Sequence, residues 1–415
     1  MERFRTHEWL LHFLRVVPGE AVDDRRDTLS PPDWSELIDE SDRCGAAPLL
    51  YHRLKTLHSD VPVPASAMAR LRHLYLYSAG SGLHLYHELG KVLGLLRAVG
   101  IPVIVLKGAH LAERVYGNIA LRPMSDVDVL VHKDDVMRAD TALLGMGCAP
   151  TERRRRIGTT NCHFTYRLPH GELPVEVHWD VLPSLYRFSI DMDGLWDRSS
   201  PALVAGVEVS VLCPEDLLLY LCVHASKHQL AIGLKPLNDI VETIRCFGSG
   251  IDWSQVQARS QQWGVAKCVY LTFRLARELS GASVPDDLMK AIRPVDFDER
   301  FMLPARESVA ACGQWSADGM SLSPNIAQLW GGTGLLQKGV RVLRRACPPP
   351  EELARTYSVP ADSARIYLYY AVRMKDLLLR HGRQVWRLLR GNAGMRSLAK
   401  QENDVGDLTA WLMSP

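Results

Sequence analysis

The chain has 415 residues and a formal charge of +2, with 47% hydrophobic and 23% charged residues. That length suggests two to three compact units, and the composition is that of an ordinary globular protein. It excludes collagen-like, coiled-coil and disordered classes, and the near-neutral balance argues against a protein built on nonspecific phosphate contacts.

Residues 1–98 read as helical. In MERFRTHEWLLHFLRVV (1–17), Trp9, Leu10, Phe13, Leu14 and Val17 keep helical spacing and charges interrupt the run, so it is an amphipathic helix and not a signal sequence. Asp33 is placed to cap a helix starting near Trp34. A second helical run covers about 65–98, carried by Leu71, Leu74, Leu76, Leu83, Leu89, Val92 and Leu95, with Gly80 and Gly82 as points of interruption. The character changes at Gly100. IPVIVL (101–106) reads as a buried strand, Lys107-Gly108 ends it, and AHLAERVY (109–116) reads as a short helix closed by Gly117-Asn118.

VDVLV (127–131) is the next strand, followed by a helix over about 133–145. CHFTYRL (162–168) alternates, PHGE (169–172) turns, and PVEVHW (174–179) returns, which makes a hairpin. Helices resume after Pro214, at about 215–230, 236–247 and 252–280, and one or two more are expected in 361–391. Proline clusters at 348–350 and Pro360 mark late boundaries. The nine cysteines are scattered and form no C-x-x-C pair, so they read as reduced core residues. No apolar run approaches the roughly 18–20 residues that a membrane span needs. These features together predict a cytoplasmic protein with no membrane association.

The stretch LRPMSDVDVLV (121–131) carries the chemistry. Asp126 and Asp128 stand two apart on a strand and so share a face, with Val127 and Val129 pointing the other way. Two adjacent carboxylates repel unless a cation lies between them, and hard oxygen ligands suit Mg²⁺. In VEVHWD (175–180), Glu176, His178 and Asp180 share a face by the same parity. If the two strands are neighbours, Glu176 joins the two aspartates. Three carboxylates around Mg²⁺ make a site for phosphoryl or nucleotidyl transfer. Arg122 and Ser125, just upstream, are candidate phosphate contacts.

At this point the chain resembles a bacterial family of largely uncharacterised nucleotidyltransferases, similar to the DNA polymerase beta-like nucleotidyltransferase superfamily. Lys107-Gly108, then Arg122-Pro-Met-Ser-Asp126-Val-Asp128, then Glu176-Val-His178-Trp179 carry the resemblance. Trp34, Pro48-Leu49-Leu50, His224-Ala-Ser-Lys227-His228 and Asp239-Ile240 extend it over about residues 30–280. It implies an α+β fold: a small mixed sheet flanked by N- and C-terminal helical regions. It also implies transfer of a nucleoside monophosphate from an NTP, ATP first among them, with pyrophosphate released. Asp126, Asp128 and Glu176 would be the catalytic and metal-holding residues, and Lys107, Gly108, Arg122, Ser125, Lys227, His228 and Asp239 would bind the co-substrate or wall the cleft. The wider superfamily opens its helix with Gly-Ser or Gly-Gly, and the Lys107-Gly108 pair here implies a different grip on the triphosphate.

The expected organisation is a helical region (1–98), a catalytic core (99–212), a helical acceptor region (213–300) and a C-terminal helical region (301–415). The expected acceptor is a small molecule, modified peptide or protein, with nucleic acid less favoured on charge. The competing readings are a non-catalytic NTP-binding module with a vestigial fold, and a tRNA-modifying enzyme. Other motifs read as ordinary structure. His224 and His228 have zinc-compatible spacing but lack the glutamate of H-E-x-x-H, Glu152 to Arg156 is a solvated charge run, Arg341, Arg344 and Arg345 resemble it, and G-G-T-G (331–334) is a turn.

Overall fold

The computed structural model of the protein describes residues 2–15, 33–56, 62–151, 161–169, 174–183, 186, 188–311, 367–370, 372–373, 375 and 393–414. The run Glu152 to Arg156, the G-G-T-G turn, the late prolines, Arg341, Arg344 and Arg345, and most of 361–391 lie outside them. The chain divides into two compact units. The first comprises 1–298, 306–312 and 412–415, and the second 299–305 and 313–411.

The first unit begins with α1 (Glu2–Arg15), α2 (Trp34–Arg43), α3 (Ala47–Thr56) and α4 (Ala65–Ala98). Asp33 caps α2 by accepting from the amides of Ser35 and Glu36. Helix α4 runs unbroken through Gly80 and Gly82, contrary to the expected interruption. Each glycine that matters there admits a neighbour. A Cβ on Gly82 would meet Ile119 at 3.5 Å, and one on Gly90 would come within 3.0 Å of the Ala205 carbonyl oxygen. The apolar face of α4 also differs from expectation. Leu71, Leu85, Leu89, Val92, Leu93 and Leu96 are buried, whereas Leu76 and Leu83 are 49% and 64% exposed. The 3.6-residue period carries those two leucines round to the far side.

The sheet is mixed and has seven strands, in the order β3-β4-β5-β2-β1-β7-β6. In chain order these are β1 (Ile104–Val105), β2 (Val127–Leu130), β3 (Ala149–Pro150), β4 (His163–Arg167), β5 (Pro174–His178), β6 (Ser200–Val204) and β7 (Val207–Val211). The α+β architecture with flanking helices is therefore present. Strands β2 and β5 are parallel neighbours, and their register sets Asp128 beside Glu176. Val127, Val129, Val175 and Val177 join the apolar core with Leu89, Val92 and Leu96 of α4 and Val136, Ala139 and Leu143 of α6 (Val136–Gly145). Burying each such side chain is worth about 1.5–3 kcal/mol relative to exposure. The valines thus fix which face the intervening carboxylates occupy.

Strands β6 and β7 were not anticipated. They form a hairpin through the two-residue turn Ala205-Gly206, both at positive φ (50° and 77°). The hairpin sits against β1 by a parallel pairing of Val105 with Val211. Between the sheet segments lies α7 (Met192–Asp197), also unanticipated. Further helices among the described residues include α8 (Pro214–Lys227), α9 (Lys235–Phe247), α10 (Trp253–Gln262), α11 (Ala266–Ser280), α12 (Asp286–Ala291), α13 (Met302–Ala311) and α14 (Ala393–Leu412). The predicted helix over 252–280 is divided at Gly264, which takes φ +73°. Cys148, Cys162, Cys213, Cys222, Cys246 and Cys268 are free thiols, while Cys44 is disulfide-bonded, so the fully reduced set expected from the sequence does not hold there. No helix among the described residues is long and apolar enough to cross a membrane. In the second unit, Phe301 stacks on Trp411 with ring centroids 5.0 Å apart.

Candidate active site

The antiparallel pairing of β1 with β2 sets Val105 opposite Val129, so the chain leaving β1 passes the start of β2. Lys107 lies there, 8% exposed. Its Nζ is 2.8 Å from Asp128 Oδ2 and 3.8 Å from Asp126 Oδ2. A cation already stands between the two aspartates. Asp128 Oδ2 is buried and, despite this ion pair, has no well-directed hydrogen bond. On the other side of Asp128, His178 Nε2 lies 3.1 Å from Asp128 Oδ1 and 3.2 Å from Glu176 Oε2. Ionised carboxylates only accept, so this nitrogen is the donor to both. His163 Nε2 reaches Glu176 Oε2 at 3.8 Å.

The electrostatics follow from this packing. Burial opposes ionisation of Asp128, but the Lys107 charge and the His178 hydrogen bond outweigh it and hold the carboxyl well below its usual range. Glu176 is lowered as well: burial opposes the shift, and the His178 hydrogen bond and the His163 charge prevail. His178 is raised well above the ordinary histidine value, because its contacts with Asp128, Cys162 and Glu176 overcome burial. The pocket is therefore a set of ionised carboxylates held together by two cations. Asp128, Glu176 and His178 offer ligand atoms within 4.8 Å of one another, a spacing that a metal ion can span. Asp128 and Glu176 are hard oxygen donors of the kind that a divalent ion such as Mg²⁺ takes, and the Lys107 ammonium occupies a cation position beside Asp128.

The other sequence-predicted residues divide into two groups. Gly108 follows Lys107 at φ +43°, and a Cβ there would meet Met124 Sδ at 3.5 Å. Helix α5 (Gly108–His110) starts at this glycine and runs into a π-helical turn over Leu111–Val115. Ser125 is exposed and donates to Asp126 Oδ1 at 3.1 Å. Lys227 ends α8, and His224 and His228 stack with centroids 4.6 Å apart. Burial lowers both histidines, and the Lys107 and Lys227 charges add to the effect. Lys107 thus lies between Asp126 and Asp128, Glu176 stands beside Asp128, and the cluster of ligand atoms takes in Asp128 and Glu176 but not Asp126, with Ser125 at the rim and the end of α8 within electrostatic range.

Arg122 and Asp239 belong to the second group. Arg122 Nε and Nη2 donate to the two carboxylate oxygens of Asp239, each at 2.8 Å, and Tyr116 donates to Asp239 Oδ1 at 2.9 Å. Both charged side chains are under 10% exposed. Burial opposes the Arg122 charge, but Asp239 raises the guanidinium pKa further above its ordinary value. This ties the loop before β2 to α9 through Nε and Nη2, while Nη1 lies on the Gly108 side and Arg122 lines the cavity beside Pro123 and Met124.

Sequence reasoning placed His178 on the correct face but left it out of the site. The parity that selected Glu176 also selects the residue two further on. His163 and Cys162 gave no separate signal. Lys235 gave none either. It donates to the Pro123 carbonyl at 3.3 Å, and burial, with the Arg122 charge opposed by Asp239 and Asp126, lowers its pKa to about 8. A cavity of about 520 Å³ adjoins this loop. Its walls include Asp42, Ser78, Ser81 and His84 from α2 and α4, and Pro123 and Met124 from the segment leading into Asp126.

Comparison with known proteins agrees with the geometry. A family described as uncharacterised nucleotidyltransferase matches residues 30–281, more than half of the chain. No curated protein and no solved structure matches it significantly. The matched region contains the carboxylate strands, the Lys107-Gly108 turn and the helices that close over them, and the chain belongs to this family of uncharacterised nucleotidyltransferases.

Proposed function

We propose that the protein transfers a nucleoside monophosphate from an NTP, with ATP the first candidate, to a hydroxyl or phosphate group on an acceptor, with Mg²⁺ as cofactor. The observation that carries this reading is the parallel register placing Asp128 beside Glu176, with Lys107 between Asp128 and Asp126. Asp126, Asp128 and Glu176 would hold the metal, which when bound neutralises the phosphates and polarises the α-phosphoryl group.

The chain's own residues have separable tasks. Lys107 is a point-charge phosphate binder once a metal replaces it between the aspartates. Gly108 takes φ +43°, a backbone conformation that side chains rarely adopt, and leaves the chain after Lys107 bare for approach by the polyphosphate. Ser125 offers a hydroxyl at the exposed rim. Glu176 is positioned to take the proton from an acceptor hydroxyl, and His178 holds that carboxylate in place through Nε2. In the net reaction the acceptor oxygen forms a bond to the α-phosphorus, the bond from that phosphorus to the bridging oxygen breaks, and pyrophosphate leaves.

The cavity beside Pro123 and Met124 is the proposed acceptor pocket. Its volume of about 520 Å³ suits a small molecule or a short peptide segment. Lys227 and His228, at the end of α8, would flank the triphosphate. The test is incubation with each NTP, Mg²⁺ and candidate acceptors, with pyrophosphate as readout. Release that depends on Asp126 and Asp128 supports the reading. Tight NTP binding with no release for any acceptor would favour a non-catalytic nucleotide-binding module.

A further inference from the structure

A second cluster of ligand atoms lies beside the carboxylates, and it is chemically different from them. Cys162 Sγ lies 3.7 Å from His163 Nδ1. Cys162, His163 and His178 offer ligand atoms that all lie within 4.8 Å of one another. Strands β4 and β5 bring them together, because their register pairs His163 with His178, and the Cys162 carbonyl accepts from the Trp179 amide at 3.0 Å.

The hydrogen bonds of the two imidazoles set their orientation. His178 spends Nε2 on Asp128 and Glu176, and its Nδ1 is buried on the Cys162 side with no well-directed hydrogen bond, in a residue only 4% exposed. His163 likewise turns Nε2 toward Glu176 and Nδ1 toward Cys162. A histidine that binds a metal through one ring nitrogen commonly donates its other N–H to a carboxylate, which fixes the tautomer and raises ligand basicity. Both histidines already hold their outer carboxylate contact. An orphaned buried nitrogen costs free energy unless a ligand satisfies it.

We propose that Cys162 Sγ, His163 Nδ1 and His178 Nδ1 form a binding site for a borderline-soft divalent ion of the zinc type, separate from the oxygen-ligand Mg²⁺ site. Thiolate with two imidazoles is a donor set for Zn²⁺ or Co²⁺ and a poor one for Mg²⁺. Three protein ligands leave a fourth position for water. His163 is half-exposed and gives the ion an entry path. Binding displaces two protons to solvent, one from the Cys162 thiol and one from His178 Nδ1, and leaves the Nε2–H of His178 on its carboxylates. The ion would hold the Nε2–H of His178 on Asp128 and Glu176, so its occupancy would couple directly to the carboxylate site.

The probe is Co²⁺ added to the full-length protein. The expected result is a thiolate-to-cobalt charge-transfer band in the near ultraviolet that Zn²⁺ abolishes and Mg²⁺ does not. Cys162→Ser should remove the band and weaken Co²⁺ binding at least about tenfold, while Cys213→Ser keeps both. Absence of the band in the wild type, or its persistence in Cys162→Ser, overturns the site. If Cys162→Ser does not fold, His163→Ala decides, because that ring is partly exposed. Co²⁺ binding weakened at least about tenfold in this variant supports the site, and undiminished binding contradicts it. None of these readouts involves nucleotide, so their failure would leave nucleotidyl transfer standing.

Discussion

Arg122 and Lys107 are both buried, and both face carboxylates close to the start of β2. Arg122 meets Asp239 through two parallel 2.8 Å bonds, and Tyr116 adds a third to the same carboxylate. Lys107 is shared unequally between two aspartates at 2.8 and 3.8 Å, and one of the Asp128 oxygens has no directed hydrogen bond. The first arrangement is matched: planar fork meets planar carboxylate, and only Nη1 is left, on the Gly108 side. The second is open: a mobile point charge fills a place that another cation could take. Matched partners mark a structural clasp, whereas mismatched partners mark a site held ready for a ligand.

The largest expected effect is in the open pair. Asp128→Asn should lower NTP-dependent pyrophosphate release by about 10³-fold, on the order of 4 kcal/mol in the transition state. Its loss of stability should be the smaller one, since Lys107 retains Asp126 and a flexible stem. The matched pair should behave in the opposite way. Asp239→Asn leaves Arg122 buried and incompletely paired, and should cost about 3–5 kcal/mol of stability in urea unfolding. At low temperature its folded fraction should keep most of its turnover. Were Asp239→Asn fully stable and inactive, the clasp would itself be part of the site.

Lys107→Met sharpens the contrast from the cation's side. The two aspartates then repel without relief, so Mg²⁺ should raise the melting temperature of this variant more than that of the wild type. Equal shifts would mean that Lys107 and the metal do not compete. Tyr116→Phe removes one hydrogen bond and leaves the Arg122 fork intact, so it should cost only about 1 kcal/mol in the same unfolding experiment. The smallest effect concerns Lys235, near both pairs. Its pKa falls from the ordinary 10.5 to about 8 in the folded chain. Between those values the unfolded chain binds the extra proton, so stability should rise with pH across that window. Lys235→Met should flatten this rise in a pH series of unfolding curves.

The sheet and its carboxylates were legible because both rest on a two-residue period. Val127 and Val129 point into the core, which forces Asp126 and Asp128 to the other face. The same rule applied to β5 finds Glu176 and, pursued one step further, His178. The hairpin of β6 and β7 was legible in principle, from the alternation in VEVSV (207–211) and the Ala205-Gly206 turn before it. The Arg122–Asp239 clasp was not. Its partners are 117 residues apart, and an arginine upstream of two aspartates looks the same whether it meets a phosphate or a carboxylate. The burial of α4 was misjudged because a 34-residue helix turns its face several times against different neighbours. Lys235 announces itself only by its surroundings, which no local pattern encodes.

The central claim is that Asp126 and Asp128 hold a divalent cation while Arg122 and Asp239 hold the fold. Titration with Mn²⁺, followed by the paramagnetic resonance of the free ion, tests it most directly. Saturable binding to the wild type and to Asp239→Asn, lost in Asp126→Asn and Asp128→Asn, is the predicted result. Undiminished binding to the Asp126→Asn and Asp128→Asn variants would contradict it.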